Sequence, residues 1–217
     1  KKVDYPIINK WYRLHSEEGI SYHEDHGEGL DNYHVGSSAG CGGTAIWVDN
    51  ERQALETYTE YEIISTSPEK TVFELRYENN INGDVFAETK RITIELGNRL
   101  YLAESTFTKN GEVAANLPIA IGVTTHDGKA KAVYSQDDGW LMAWEELGGY
   151  GLGTAVMVSA GSVESVEMLD KPEVRDYSHA MLIVNTDEQG KVTYASGYGW
   201  EGAGDITEPA KWQAYLE

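Results

Sequence analysis

Between Tyr22 and Gly36 the chain reads YHEDHGEGLDNYHVG, which gathers three of its six histidines, four carboxylates and two tyrosines. Metal binding, acid/base work and a plain polar loop all fit that composition. His23 and His26 stand three apart, with Glu24, Asp25 and Asp31 close by and His34 further on. A His-x-x-His pair binds zinc or a similar ion when a third ligand arrives. Gly27 and Gly29 argue against the helix that would align the pair, and positions three apart on a strand point to opposite faces. The expectation is therefore that no cofactor is required, with a bound metal as the alternative. For acid/base work, imidazole takes a proton and imidazole or phenol returns one. Tyr22, His23, His26, Tyr33 and His34 supply both groups, and Asp31 is placed to orient an imidazole. Leu30 and Val35 bracket the segment and are expected to pin it to the core. A loop held by a scaffold is where catalytic groups concentrate.

Outside this stretch, His126 ends the apolar run LPIAIGVTTH before Asp127-Gly128, and His179 opens HAMLIV. Each alone is an ordinary strand-end residue, yet the rim of a sandwich is also where a cleft opens. His126 thus joins Tyr22 and Tyr33 as a candidate acid. Arg76 and Arg91 lie on the polar faces of their strands. Facing inward they would clamp a carboxylate or sulfate; facing outward they would pair with Glu74 or Glu95. Six Trp and fourteen Tyr stand against three Phe. Tyr and Trp combine a flat apolar face with a polar handle, which suits stacking on sugar rings.

Strands must position these groups. TVFELRY puts Phe73, Leu75 and Tyr77 on one face and Glu74 and Arg76 on the other, and RITIEL separates Ile92, Ile94 and Leu96 from Arg91, Thr93 and Glu95. Such alternation marks strands with one buried and one polar face. Asn82-Gly83, Asn110-Gly111, Asp127-Gly128 and Gln189-Gly190 supply turn chemistry between runs. The pattern predicts an all-β chain, an antiparallel β-sandwich or strongly curved sheet, forming a single domain over 1–217. A short C-terminal helix is expected in ITEPAKWQAYLE, capped by Thr207, with Pro209 in its first turn and Trp212, Tyr215 and Leu216 on one face. The N-terminal KKVDYPIINKW reads as strand-like. The glycine clusters at 36–43, 148–153 and 197–204 lack the P-loop ending and the βαβ context of a dinucleotide site; bulges and close backbone approach suit them better.

A hydrophobic content of 41% allows a real core, and no apolar run nears the roughly 18 residues that span a bilayer. The net charge of −19 repels nucleic acid and disfavours an anionic membrane surface. Cys41 is the single cysteine, which excludes an internal disulfide and a Cys-rich zinc site. No signal peptide is legible and the chain does not open on Met. A mature, processed or fragmentary chain is expected.

The order of the segments WYRLHSEEGISYHEDHGEGLDNYHVGSSAGCGG, ETKRITIELGNRL, LPIAIGVTTHDG, DGWLMAWEELGGYGLGTAVMV, SHAMLIV and VTYASGYGWEGAGDI resembles, over nearly the whole chain, a family long known as a domain of unknown function. The Gly-x-Gly-Leu-Asp and Val-Gly pieces within 27–36 are specific to it. So is a Gly-Trp-x-x-x-Gly-Asp piece, which reads one residue longer here, Gly199-Trp200 to Gly204-Asp205. The family belongs to the polysaccharide-utilisation clusters of carbohydrate-degrading bacteria, and one branch is the ulvan oligosaccharide dehydratases. The resemblance implies a carbon-oxygen lyase that removes water from the non-reducing-end uronic acid of an acidic oligosaccharide. The alternatives are a polysaccharide lyase and a non-catalytic carbohydrate-binding sandwich. It further implies a periplasmic or extracellular protein, and a longer chain with an N-terminal strand-rich part, present as a separate fragment or removed. Elimination needs a cation or donor on the carboxylate, a base at C5 and an acid for the leaving hydroxyl. Arg76 or Arg91 suits the first role, His23 or His26 the second, and Tyr22, Tyr33 or His126 the third, with Asp31, His34 and Trp200 as further substrate contacts.

Overall fold

The computed structural model describes residues 5–27, 31, 33–126 and 128–217, and in it the alternation becomes two packed antiparallel sheets. Helix α1 (Tyr5–Glu18) is followed by β1 (Cys41–Val48), β2 (Glu51–Ala54), β3 (Glu60–Thr66), β4 (Lys70–Ile81), β5 (Asp84–Glu95), β6 (Leu100–Lys109) and β7 (Glu112–Val113). Then come β8 (Pro118–Thr124), β9 (Lys131–Ser135), β10 (Trp140–Leu147), β11 (Tyr150–Met157), β12 (Val163–Leu169), β13 (His179–Asn185) and β14 (Lys191–Trp200). A 3₁₀ turn, Glu201–Ala203, and helix α2 (Pro209–Leu216) close the chain. The smaller sheet runs β12-β13-β8-β1-β2. The larger runs β3-β4-β5-β6-β14-β11-β10-β9, with β7 beside β6.

Turn chemistry sets the hairpins. Asn82 and Gly83 both hold positive φ, 55° and 94°, between β4 and β5, and Asn110 and Gly111 do the same between β6 and β7. Paired positive φ matches the strand twist of a tight hairpin. At Gln189-Gly190 only the glycine is left-handed. Asp127 lies outside the described residues.

The inner faces meet in a core of Ile46, Ile119 and Ile121 from the smaller sheet and Phe107, Leu141, Val156 and Tyr194 from the larger, all essentially inaccessible to solvent. Polar groups also lie inside. A bulge between Cys41 and Gly43 frees β1 carbonyls, and tyrosines of the larger sheet satisfy them: Tyr101 donates to the Cys41 carbonyl at 2.9 Å and Tyr194 to that of Gly42 at 2.8 Å. A Cβ on residue 42 would fall 2.3 Å from the Tyr101 hydroxyl, so this close approach requires glycine. Beside the bulge, Lys90 Nζ donates to Thr44 Oγ1 at 2.9 Å, and Thr44 bonds both carboxylate oxygens of Glu88. A pair so buried is costly to desolvate, and its hydrogen bonds offset that cost.

Helix α2 covers the outer face of the larger sheet. Its Trp212 is fully buried, and its Nε1 donates to the Thr154 carbonyl at 3.2 Å. The expected helix is present, but its N-cap is Glu208, not Thr207, whose hydroxyl instead accepts from Lys211. Tyr215 is half-exposed and stacks on Trp212. The N-terminal run expected as strand is helix α1. Ile7, Trp11 and Leu14 recur at helical spacing, Trp11 is buried, and Pro6 sits in the first turn, where its missing N–H costs nothing.

The larger sheet outruns the smaller at one edge. Every residue of β3 is exposed, and Tyr61, Ile63, Ile94 and Leu96 stand exposed along that edge.

Candidate active site

Strand β8 ends at Thr124, and two residues later His126 adopts a φ of 44°, a left-handed conformation uncommon outside glycine. That turn aims its ring between two oxygens. Nδ1 lies 2.5 Å from Glu145 Oε1, and Nε2 lies 2.7 Å from the His34 carbonyl. Tyr33 packs edge-on against the imidazole, with ring centres 4.6 Å apart, and its hydroxyl donates to the Gly40 carbonyl at 3.0 Å. The His34 carbonyl, 92 residues distant from His126 along the chain, and the Glu145 side chain, 19 residues distant, are thus gathered at one rim of the sandwich.

The hydrogen bonds restrict the protons. A carbonyl only accepts, so Nε2 of His126 carries hydrogen. Either the ring is doubly protonated against a Glu145 carboxylate, or it is neutral against a carboxyl group. In both states one transferable proton lies between Nδ1 and Oε1. Glu145 Oε2 is buried and makes no hydrogen bond to a described residue. The Tyr33 phenol is held well above its ordinary range, first by burial and then by Cys41, against the hydrogen bond with Thr154. It is therefore a persistent hydrogen-bond donor and not a proton source.

The loop from Tyr33 to Gly40 is braced on all sides. Arg175 Nη2 donates to His34 Nε2 at 2.7 Å, so His34 Nδ1 carries the proton and gives it to Asp176 Oδ1 at 2.8 Å. Gly36, at φ 52°, passes so close that a Cβ there would lie 1.9 Å from Asp176 Oδ2. Arg52 donates to the Ser37 and Ser38 carbonyls, and burial lowers its guanidinium pKa. The Ala39 amide donates to His179 Nδ1 at 3.2 Å. Burial, and then the Arg52 charge, bring His179 down to about 4.

Glu145 reaches the rim because β10 alternates: Leu141, Ala143 and Glu145 face inward, while Trp140 and Met142 pack outward with Trp212. Its register neighbours share that face. Glu145 pairs with Leu152 and Leu152 with Trp200; one row deeper, Ala143 pairs with Thr154 and Thr154 with Tyr198.

The sequence candidates divide sharply. Tyr33, His34 and His126 come together, and Trp200 lies two strands from Glu145 on the same face. Tyr22, His23 and His26 instead pack beside α1. Tyr22 meets His15 edge-on and His23 at a tilt, and His26 packs on Trp11. His23 Nδ1 bonds the Asp31 carbonyl, so the backbone of Asp31 and not its carboxylate meets the imidazole. His26 Nε2 bonds the Ser21 carbonyl at 3.0 Å. Val35 is exposed and pins nothing to the core, while Glu28, Gly29 and Leu30 lie outside the described residues. Arg76 bonds Glu60 and Glu62, and Arg91 bonds Glu74, on the face opposite Glu88 and Lys90. The inward cation on these strands is Lys90. Among the described residues, no three His, Cys, Asp or Glu side chains are grouped to hold a metal ion.

Sequence reasoning passed over Glu145, Thr154, Asp176 and Tyr198. The signal for Glu145 was available: a carboxylate on the apolar face of an alternating strand has to be paired. Asp176 and Thr154 carried no such mark, because their partners are set by topology.

Comparison with known proteins adds three findings. The crystal structure of a GalM/aldose epimerase homologue from C. elegans overlaps 76% of this chain and 81% of its own, with 10% identity and a TM-score of 0.32, too low to assign a shared fold. "Uncharacterized protein P7" of Formosa agariphila is 34% identical over 219 residues, a match that takes in 100% of this chain and 53% of that protein. The chain thus spans about half the length of that curated relative. A family model described as "Domain of unknown function (DUF4861)" matches residues 1–217, and the chain belongs to that family.

Proposed function

We propose that this rim is the active site of a carbohydrate-active carbon-oxygen lyase, a dehydratase that removes water from the non-reducing-end uronic acid of an ulvan-type oligosaccharide. The observation that carries the proposal is the His126–Glu145 pair, which shares one movable proton beside a protonated phenol at the end of β8. The motif resemblance to the ulvan oligosaccharide dehydratases supports the reaction class.

The chemistry follows from the groups. The C5 proton of a uronate becomes removable only when its carboxylate is neutralised, and Tyr33 supplies the donor after its hydroxyl turns from Gly40. The His126–Glu145 couple takes the C5 proton. The electron pair of that bond forms the C4–C5 double bond, and the 4-hydroxyl leaves with the same proton as water. Atoms and charge balance without cofactor or oxidant. The reaction needs an acidic oligosaccharide and no nucleic acid or membrane, and it suits a periplasmic or extracellular setting. No described helix is long and apolar enough to cross a membrane.

Mass spectrometry after incubation with ulvan oligosaccharides tests the reading. A dehydratase gives a product of unchanged chain length lacking one water. A lyase gives shorter unsaturated chains, and a binding module leaves the substrate intact. The second and third outcomes each overturn the proposal.

A further inference from the structure

The register places an aromatic platform beside the proton couple. Along β14 the inward side chains pass from Tyr194 and Ser196, both sealed in the interior, to Tyr198, 60% exposed, and Trp200, 36% exposed. Gly197 and Gly199 alternate with them. Gly199 faces outward, where a Cβ would meet Ile206 and Trp212. Tyr150, also inward on β11, meets Trp200 edge-on at 5.3 Å and is itself exposed at 44%. Through Leu152, Trp200 stands in one row with Glu145; through Thr154, Tyr198 stands in one row with Ala143. Two strand spacings separate Trp200 from Glu145, about 10 Å, which is on the order of two sugar residues.

Exposed aromatics in the interior-facing rows of a sheet are unusual, because those positions normally close against the opposing sheet. Here three flat rings face solvent instead. Arg99, the residue before β6, holds Asp205 at 2.6 Å. Flat rings with polar edges match the apolar faces and hydroxyl rims of pyranose rings.

We infer that Tyr198, Trp200 and Tyr150 form a sugar-stacking subsite that binds the second and third residues of an oligosaccharide whose terminal uronate lies at His126 and Glu145. This rests on the reading of the rim as a uronate site. The subsite makes the protein selective for chain length. A uronic acid monosaccharide fills only the rim, whereas a longer chain engages the platform as well.

Titration of intrinsic tryptophan fluorescence with glucuronic acid and with an ulvan tetrasaccharide tests the subsite without turnover, in Glu145→Gln protein. The tetrasaccharide is expected to bind at least about tenfold tighter than the monosaccharide, and Tyr198→Ala and Trp200→Ala each to remove about tenfold of tetrasaccharide affinity. Tyr198→Phe keeps the ring and retains most of it. Tyr12→Ala, an exposed tyrosine on α1, serves as the control and leaves it unchanged. Equal binding of the two sugars, or full tetrasaccharide affinity in both alanine variants, overturns the subsite. The two readings separate: chain-length-dependent binding with no unsaturated product from wild type keeps the subsite and removes the enzyme reading. Turnover with no chain-length preference does the reverse.

Discussion

His23 and His26 bond to backbone carbonyls eight and five residues away, whereas His126 and His34 find side-chain partners 19 and 142 residues away. The first two sit on an exposed loop against α1, and their rings are occupied with Tyr22 and Trp11. The second two sit where β8, β10 and the 33–40 loop converge. One group is dense in sequence and the other dense in space. In the second, one imidazole, His126, meets both a carboxylate, Glu145, and a phenol, Tyr33, an arrangement suited to proton transfer. Histidines close in sequence lie together in a polar loop here, and the candidate site lies where the topology crosses.

Substitutions at the two groups should give very different results. His126→Ala is expected to lower kcat by about 10³-fold, while His23→Ala and His26→Ala each change it by about twofold at most, read as the ultraviolet absorbance of unsaturated product. Comparable losses at both groups would erase the distinction. Tyr33→Phe removes a hydrogen-bond donor and nothing else, and an effect of about 10²-fold on kcat is expected, with little change in KM.

His179 extends the comparison to stability. Its pKa in the folded protein is about 4, below the ordinary 6.5, so the unfolded chain binds the extra proton first. Its contribution to stability is therefore present above pH 6.5 and is lost as pH falls toward 4, on the order of 3 kcal/mol at the lower limit. Asn places an acceptor near the Nδ1 position for the Ala39 amide, so His179→Asn should flatten the fall of Tm over that range. An unchanged slope would mean that other groups carry the acid sensitivity. The smallest effects are expected at Arg76 and Arg91, whose side chains are solvent-exposed. Either alanine variant should leave the midpoint of chemical denaturation nearly unchanged, and turnover intact.

The sandwich was legible because its signals are local. TVFELRY and RITIEL alternate as β4 and β5 do, and two Asn-Gly pairs fall at two-residue hairpin turns. Helix α1 was misread because Tyr5, Pro6 and Ile7 resemble a strand until Trp11 and Leu14 complete the helical period. Of the site, His126, Tyr33 and His34 were visible as residue types at strand ends and in a glycine-rich loop. Their assembly was not, since it depends on β8 and β10 reaching the same rim from different sheets. Arg76 and Arg91 illustrate the same limit. Alternation put them on the polar face, but only the packing of the second sheet decides which face is inside.

Glu145 bears most directly on the proposed chemistry. Glu145→Gln keeps the shape of the side chain and removes its capacity to take a proton, so the wild-type and variant proteins can be compared on one ulvan oligosaccharide by mass spectrometry. Wild type is expected to give a product of unchanged length lacking one water, formed about 10²-fold more slowly by a variant of similar melting temperature. Equal rates in the two proteins, or no dehydrated product from wild type, would contradict that chemistry.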